Sequence, residues 1–223
     1  MQKQPYRRGF PGLHLLAGFI IFATMTFSLW EISEDINKRE PLTVADAELS
    51  TWLHLHTLPW LTVAMFVVTY LGSSIIVNCI AVVFLLYLIW RRRFYWLAAF
   101  MFSVYGGMLL NKILKYAFQR PRPHFDDPLV SLTSYSFPSG HTMTATVLYG
   151  VLAAYFFTTT QDWRRRVAII FVAAFLILLV GFTRIYLGAH YLSDVLGAMA
   201  EGVAWLALCL TVIYSLRRRN RAI

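Results

Sequence analysis

The chain has 223 residues, 58% of them hydrophobic and only 14% charged, with a formal net charge of +9. Soluble domains carry nearer a quarter charged residues, so the long apolar runs identify a polytopic membrane protein. The cations sit in short clusters between apolar runs and not along one face, which excludes a nucleic-acid-binding reading of the charge. Cys79 and Cys209 fall inside apolar runs and show neither disulfide nor metal-ligand spacing.

Lys3, Arg7 and Arg8 precede an apolar segment from about Leu13 to Trp30. The run is long and no small-x-small site follows it, so it is expected to be a retained span and not a signal peptide. Spans are predicted at roughly 12–30, 60–90, 94–117, 140–159, 166–187 and 190–216. The second is longer than the ~20 residues that cross a ~30 Å core. Its Leu71-Gly72-Ser73-Ser74 break leaves one tilted or kinked helix, or two short ones. Charge decides between them. With a single span, Lys3/Arg7/Arg8, Arg91–Arg93, Arg164–Arg166 and Arg217–Arg219 with Arg221 all fall on one side. Trp30, Trp60, Trp90, Trp96 and Trp163 fall at predicted interfaces. The expected fold is all-α: one domain, 1–223, of six transmembrane helices in the cytoplasmic (inner) membrane, with both termini cytoplasmic.

The loop 31–59 is then extracytoplasmic and acidic. Within it Leu42, Ala45, Leu49, Trp52 and His56 recur at three- and four-residue steps, and Pro59 ends the run. That spacing predicts a short amphipathic helix on the outer membrane surface, over about 42–58. It is either a solvated loop helix or a lid that guides lipid. His54 and His56 are two apart and do not share a helical face, so no metal site is expected there.

Seven cations, Lys38, Arg39, Lys112, Lys115, Arg120, Arg122 and Arg184, lie on or near the outer side against the positive-inside bias. Lys115 ends a helix, and Arg120-Pro-Arg-Pro123 holds the following chain extended. Pro138 and Ser139 are helix-start residues, and Gly140 lets backbone amides approach a ligand. A helix N-terminus is an anion site. Lys115, Arg122 and Arg184, together with a hydroxyl and backbone amides, therefore suit a tetrahedral phosphate. His190 has Asp194 four residues on, which places them on one face if the segment is helical. A carboxylate on one ring nitrogen leaves the other free to attack, and His141 is the natural acid for a leaving alkoxide. The set reads as a phosphoryl-transfer site that needs no metal or other cofactor.

Lys115-x6-Arg122-Pro123, Pro138-Ser139-Gly140-His141 and Arg184-x5-His190-x3-Asp194 resemble the three signature motifs of the type 2 phosphatidic acid phosphatase superfamily. Thr183 stands where that family commonly has serine and keeps the hydroxyl. The resemblance implies a phosphohistidine on His190, Asp194 orienting it, and His141 protonating the leaving group and then activating water. It also implies phosphate binding by Lys115, Arg122, Ser139, Gly140 and Arg184. Implied substrates are lipid phosphates at the outer face: undecaprenyl pyrophosphate, phosphatidylglycerol phosphate, phosphatidate or lipid A. A lipid-to-lipid phosphotransferase would use the same site. A non-enzymatic lipid transporter would need polar groups along a path through the bilayer, which the spans lack apart from Asn78, Asn111, Glu201 and scattered Ser and Thr. Arg120 is expected either to anchor at lipid headgroups or to touch a second phosphate. Glu201, seven residues past Asp194, is expected to be a hydrogen-bonded structural acid, with Asn111 or Asn78, or to act beneath the pocket.

Overall fold

The computed structural model describes residues 11–38 and 41–219, and these contain helices and no strand. In order they are α1 (Pro11–Lys38), α2 (Pro41–Leu55), α3 (Pro59–Thr69), α4 (Ser74–Trp90), α5 (Phe94–Met101), α6 (Gly107–Phe118), α7 (Gly140–Thr159), α8 (Trp163–Tyr186) and α9 (Leu192–Arg219). Five stretches are long and apolar enough to cross a membrane, and the pair α3–α4 makes a sixth if counted as one bent span. The Lys3/Arg7/Arg8 cluster, Arg39 and Arg221 lie outside the described residues.

The expected kink in the second span is real. A 3-10 turn at Tyr70–Gly72 interrupts it, and the two halves meet at 44°. Ser73 restarts the helix: its backbone is extended and its hydroxyl accepts the amide of Ile76 at 3.4 Å, as an N-cap does. The break exposes carbonyls that a straight helix would satisfy, and Tyr149 Oη donates to that of Leu71 at 2.9 Å. Gly72 is required there because a Cβ would stand 2.8 Å from the His141 carbonyl oxygen.

The third span, expected over 94–117, runs from Phe94 to Phe118 with one irregularity. A π-helical segment at Phe102–Gly106 separates α5 from α6. Such a bulge leaves carbonyls looking for donors, and Trp205 Nε1 serves those of Phe102 (3.2 Å) and Ser103 (3.0 Å). α1 also runs eight residues beyond the expected end of its span, past the predicted interface at Trp30.

α7 is the central post, packed against α4, α5, α6, α8 and α9. Met143, Val147, Leu148 and Val151 are fully buried on it, with Phe100, Leu88 and Val77 from neighbouring helices. Apolar side chains left exposed, among them Phe171, Phe175 and Leu178 on α8, face outward, where lipid takes the place of a core. At one end of the bundle the start of α5, the end of α7 and the end of α9 converge around an apolar cavity of about 340 Å³ lined by Tyr95, Trp96, Thr158 and Tyr214. Arg91–Arg93 and Arg164–Arg166 belong to this end. The residues of the three motifs gather at the other.

α2 is the helix expected over 42–58, ending three residues sooner at Leu55. Ala45, Trp52 and His56 of the expected apolar repeat are exposed, as are Val44 and Leu55. The buried positions are Asp46 and Ser50, with Leu42, Leu49, Leu53 and His54 half-buried beside them. In a membrane setting the apolar face looks out to lipid and the polar one inward, and hydrophobic periodicity alone does not distinguish the two. His54 Nε2 lies 2.8 Å from Asp127 Oδ1 and its ring stacks on Phe125 at 4.1 Å, tying α2 to the loop that follows α6.

Candidate active site

Four helix ends build the site. Lys115 stands in the last turn of α6, Gly140 and His141 in the first turn of α7, Arg184 in the last turn of α8, and Asp194 in the first turn of α9. Terminal turns suit this task because their backbone groups have no intrahelical partners and their side chains meet across the bundle. α6 stops at Gln119, whose left-handed backbone (φ 48°) returns its amide to the Lys115 carbonyl at 3.0 Å.

The three expected phosphate-binding cations are each held at a fixed place. Lys115 Nζ donates to the carbonyls of Tyr135 (2.7 Å) and Ser136 (3.3 Å). Arg122 donates to the Ser134 carbonyl (2.6 Å), the Ser134 hydroxyl (2.9 Å) and the Ala189 carbonyl (2.5 Å). Arg184 Nη1 donates to Thr69 Oγ1 at 2.8 Å, and its buried Nε has no protein partner among the described residues. All three lie within electrostatic reach of His141. Three mutually repelling cations held this way suit a multiply charged anion.

At the start of α7, Met143 makes the first intrahelical bond, to the Ser139 carbonyl. The amides of Gly140, His141 and Thr142 precede it and have no intrahelical acceptor. Gly140 sits against Asn111 and Lys115. Ser139 is more engaged than its sequence role implied. Its amide donates to the Asp194 carbonyl (3.0 Å) and its buried hydroxyl accepts from Thr142 (3.0 Å).

His190 and Asp194 are together, for a reason other than the one the spacing suggested. Residue 190 lies in the non-helical turn between α8 and α9, so the pair does not share a helical face. Instead Tyr191 is the N-cap of α9, and Asp194 reaches back from the third helical position to accept the Tyr191 amide at 2.9 Å. This is the acidic half of a capping box. The same oxygen, Oδ2, lies 3.4 Å from His190 Nδ1 and accepts the Ser136 hydroxyl. On the other edge of the ring, Nε2 is 3.1 Å from Arg122 Nη1. A guanidinium only donates, so Nε2 presents its lone pair there and Nδ1 carries the proton towards Asp194. Burial pushes the His190 pKa down to about 3, outweighing the opposing pull of Asp194. The ring is therefore a neutral base at neutral pH, with its lone pair aimed at the cation cluster.

The family described as the PAP2 superfamily matches residues 96–218, which hold every motif residue. The chain belongs to the PAP2 superfamily. It is 37% identical over 163 residues to phosphatidylglycerophosphatase B of Bacillus subtilis, covering 71% of this chain and 78% of that one. It is also 37% identical over 131 residues to lipid A 1-phosphatase of Rhizobium etli, covering 54% of this chain and 51% of that one. Its fold is similar to that of a transmembrane PAP2-type phosphatidylglycerolphosphate phosphatase from Bacillus subtilis. There the TM-score is 0.78 and the identity 28%, over 89% of this chain and 96% of that one. The fold also resembles LpxE of Aquifex aeolicus, with a TM-score of 0.60 and 25% identity over 74% of this chain and 94% of that one. This PAP2 protein is thus a multi-pass membrane protein of a lipid phosphatase family.

Several residues of this PAP2 site were not legible as such. Arg120 is committed to two carboxylates and not placed at the surface as a headgroup anchor. It is buried, donating from Nη1 to Asp194 Oδ1 (2.6 Å) and from Nη2 to Asp46 Oδ2 (2.8 Å). Asp46, Ser136, Ser193 and Thr69 were missed. For Ser136 a signal existed, since it opens the Ser136–His141 run. For Thr69 there was none, because its partner Arg184 lies 115 positions away. Glu201 accepts from Asn111 Nδ2 at 2.8 Å as expected, while Asn78 instead accepts from Tyr105. Thr183 turns its hydroxyl to the Val180 carbonyl. Among the described residues no three His, Cys, Asp or Glu side chains gather into a group that could hold a metal ion.

Proposed function

We propose that this PAP2 protein hydrolyses the phosphate or pyrophosphate monoester of a lipid through a phosphohistidine on His190, at the extracytoplasmic face. The observation that carries this reading is the His190 ring, with Nδ1 backed by Asp194 and Nε2 beside Arg122 Nη1 at 3.1 Å. A phosphoryl group bound by Lys115, Arg122, Arg184 and the first amides of α7 meets that lone pair. Nε2 attacks phosphorus, the bond to the lipid-side oxygen breaks, and His141 gives that oxygen a proton. Asp194 stabilises the charge that develops on the ring. His141, now unprotonated, takes a proton from water; the water oxygen attacks phosphorus, the N–P bond breaks, and inorganic phosphate leaves. Positioning and fixed positive charge supply the catalysis, and no metal is required.

Phosphatidylglycerol phosphate is the first candidate substrate. The relative that acts on it is matched over more than two thirds of its length. Undecaprenyl pyrophosphate, phosphatidate and lipid A phosphates follow. The test is release of inorganic phosphate from each lipid by purified protein, with and without a chelator. Turnover that survives the chelator and is abolished in His190→Ala is expected. Full turnover by His190→Ala, or strict dependence on a divalent ion, overturns the mechanism. A phosphorylated acceptor lipid in place of free phosphate overturns hydrolysis.

A further inference from the structure

The buried polar face of α2 ends on the catalytic carboxylate. Asp46 Oδ1 accepts the amide of Ser193 at 2.9 Å, and Oδ2 accepts from Arg120 Nη2 at 2.8 Å and from the Ser193 hydroxyl. Arg120 Nη1 in turn donates to Ser193 Oγ (2.7 Å) and Asp194 Oδ1 (2.6 Å), with its guanidinium 4.3 Å from the centre of the Tyr191 ring. Asp46 and Asp194 are 1% and 0% exposed, and Arg120 is 8% exposed, so little water competes for these bonds.

The arrangement has two consequences. The first turn of α9 is capped twice, by Asp194 on the Tyr191 amide and by Asp46 on the Ser193 amide. Two carboxylates at one helix N-terminus repel, and Arg120 between them makes the pair compatible. In addition, both oxygens of Asp194 are committed: Oδ1 to Arg120, and Oδ2 to Ser136, Tyr191 and His190. A carboxylate held at both ends cannot rotate, and so neither can the ring it orients.

We propose that Asp46 and Arg120 are positioning residues, through which the helix outside the spans fixes Asp194 and thereby aims His190 Nε2 at the phosphorus. The inference rests on the phosphatase reading above. It makes α2 a brace on the nucleophile and not a solvated loop helix or a lid.

Two anions separate alignment from binding. Inorganic phosphate needs only the cations, whereas orthovanadate as a five-coordinate mimic also needs an in-line nitrogen. Dissociation constants for both would be read from protection against thermal unfolding, beside kcat and KM on the best lipid substrate. In Asp46→Asn, vanadate binding is expected to weaken roughly 10- to 100-fold, the range for partners that orient a catalytic ligand. Phosphate binding and KM are expected to stay within about 2-fold, and kcat to fall with vanadate affinity. Arg120→Lys should behave likewise. Glu48→Gln, exposed on the same helix, serves as the unaffected control. Should Asp46→Asn not fold, Ser193→Ala removes one bridging hydroxyl and is expected to give a smaller shift of the same kind.

Parallel loss of vanadate and phosphate affinity would mean that Asp46 only holds the fold, and would overturn the proposal. So would variants that match wild type in both. If the wild-type protein binds neither anion and releases no phosphate from any lipid, the phosphatase reading fails first and this inference falls with it.

Discussion

Ser136 donates its hydroxyl proton to Oδ2 of Asp194, the oxygen that also faces His190 Nδ1 at 3.4 Å. Both contacts converge on one oxygen, so the carboxylate is held by Ser136 as well as facing the histidine. Hydrogen bonds to charged groups contribute about 1.5–3 kcal/mol. Ser136→Ala is therefore expected to lower kcat roughly 10- to 100-fold, with little change in KM. Steady-state phosphate release from a lipid substrate checks it.

The His190 pKa sets a pH dependence with a definite sign. Burial lowers it from 6.5 to about 3, so the folded protein resists a proton that the unfolded chain accepts. The unfolded state binds more protons in that window, and stability falls as pH drops through 6.5 towards 3. The slope from this group is at most about 1.4 kcal/mol per pH unit. In thermal unfolding between pH 7 and 5, His190→Gln should lose less of its melting temperature than wild type. An equal loss in both would show that His190 is not the group responsible.

Thr69 is the hydroxyl that holds Arg184, across the break in the second span. Thr69→Val keeps the shape and removes the acceptor, freeing the guanidinium to leave its proposed phosphate-binding pose. KM is expected to rise about 10-fold, the cost of one charged hydrogen bond, with a smaller effect on kcat. A fall in kcat alone would instead place Arg184 in the transition state only.

Glu201 and Asn111 lie beneath Lys115, joined by a bond of 2.8 Å. Glu201→Gln preserves an acceptor for Asn111 and is expected to leave turnover within about 3-fold. Glu201→Ala strands a buried amide and opens a cavity, costing about 2–4 kcal/mol. A melting curve in detergent separates the two. If Glu201→Gln alone abolishes turnover, the carboxylate serves Lys115 directly.

Sidedness is tested by labelling. A cysteine at Asp126, exposed in the loop after α6, should react with an impermeant thiol reagent in intact cells, and one at Gln161 should not. The reverse pattern inverts the proposed orientation.

What the sequence disclosed was what depends on local order. The spans, the kink at Gly72-Ser73 and the three motifs are written in hydropathy and in residues a few positions apart. The partners of those motifs were hidden because they come from far along the chain. Asp46 meets Ser193 across 147 positions, and Ser136 meets Asp194 across 58. The inward role of the polar face of α2 was hidden because apolar periodicity says nothing of what Asp46 and Ser50 meet. The His190–Asp194 pairing was found for an incorrect reason: a spacing of four is also what a helix-capping turn provides.

Lys115, Arg184 and Asp194 stand in terminal turns of three different helices, so their spacing depends on how those helices sit against one another. A helix advances about 1.5 Å per residue, and a sub-ångström slide of one span against another is already a change in catalytic geometry. Bilayers thinner or thicker than the spans impose such slides at modest cost. Turnover is therefore expected to respond to membrane thickness. In vesicles whose acyl chains are varied at constant headgroup, turnover should peak sharply at one chain length, while phosphate affinity changes little.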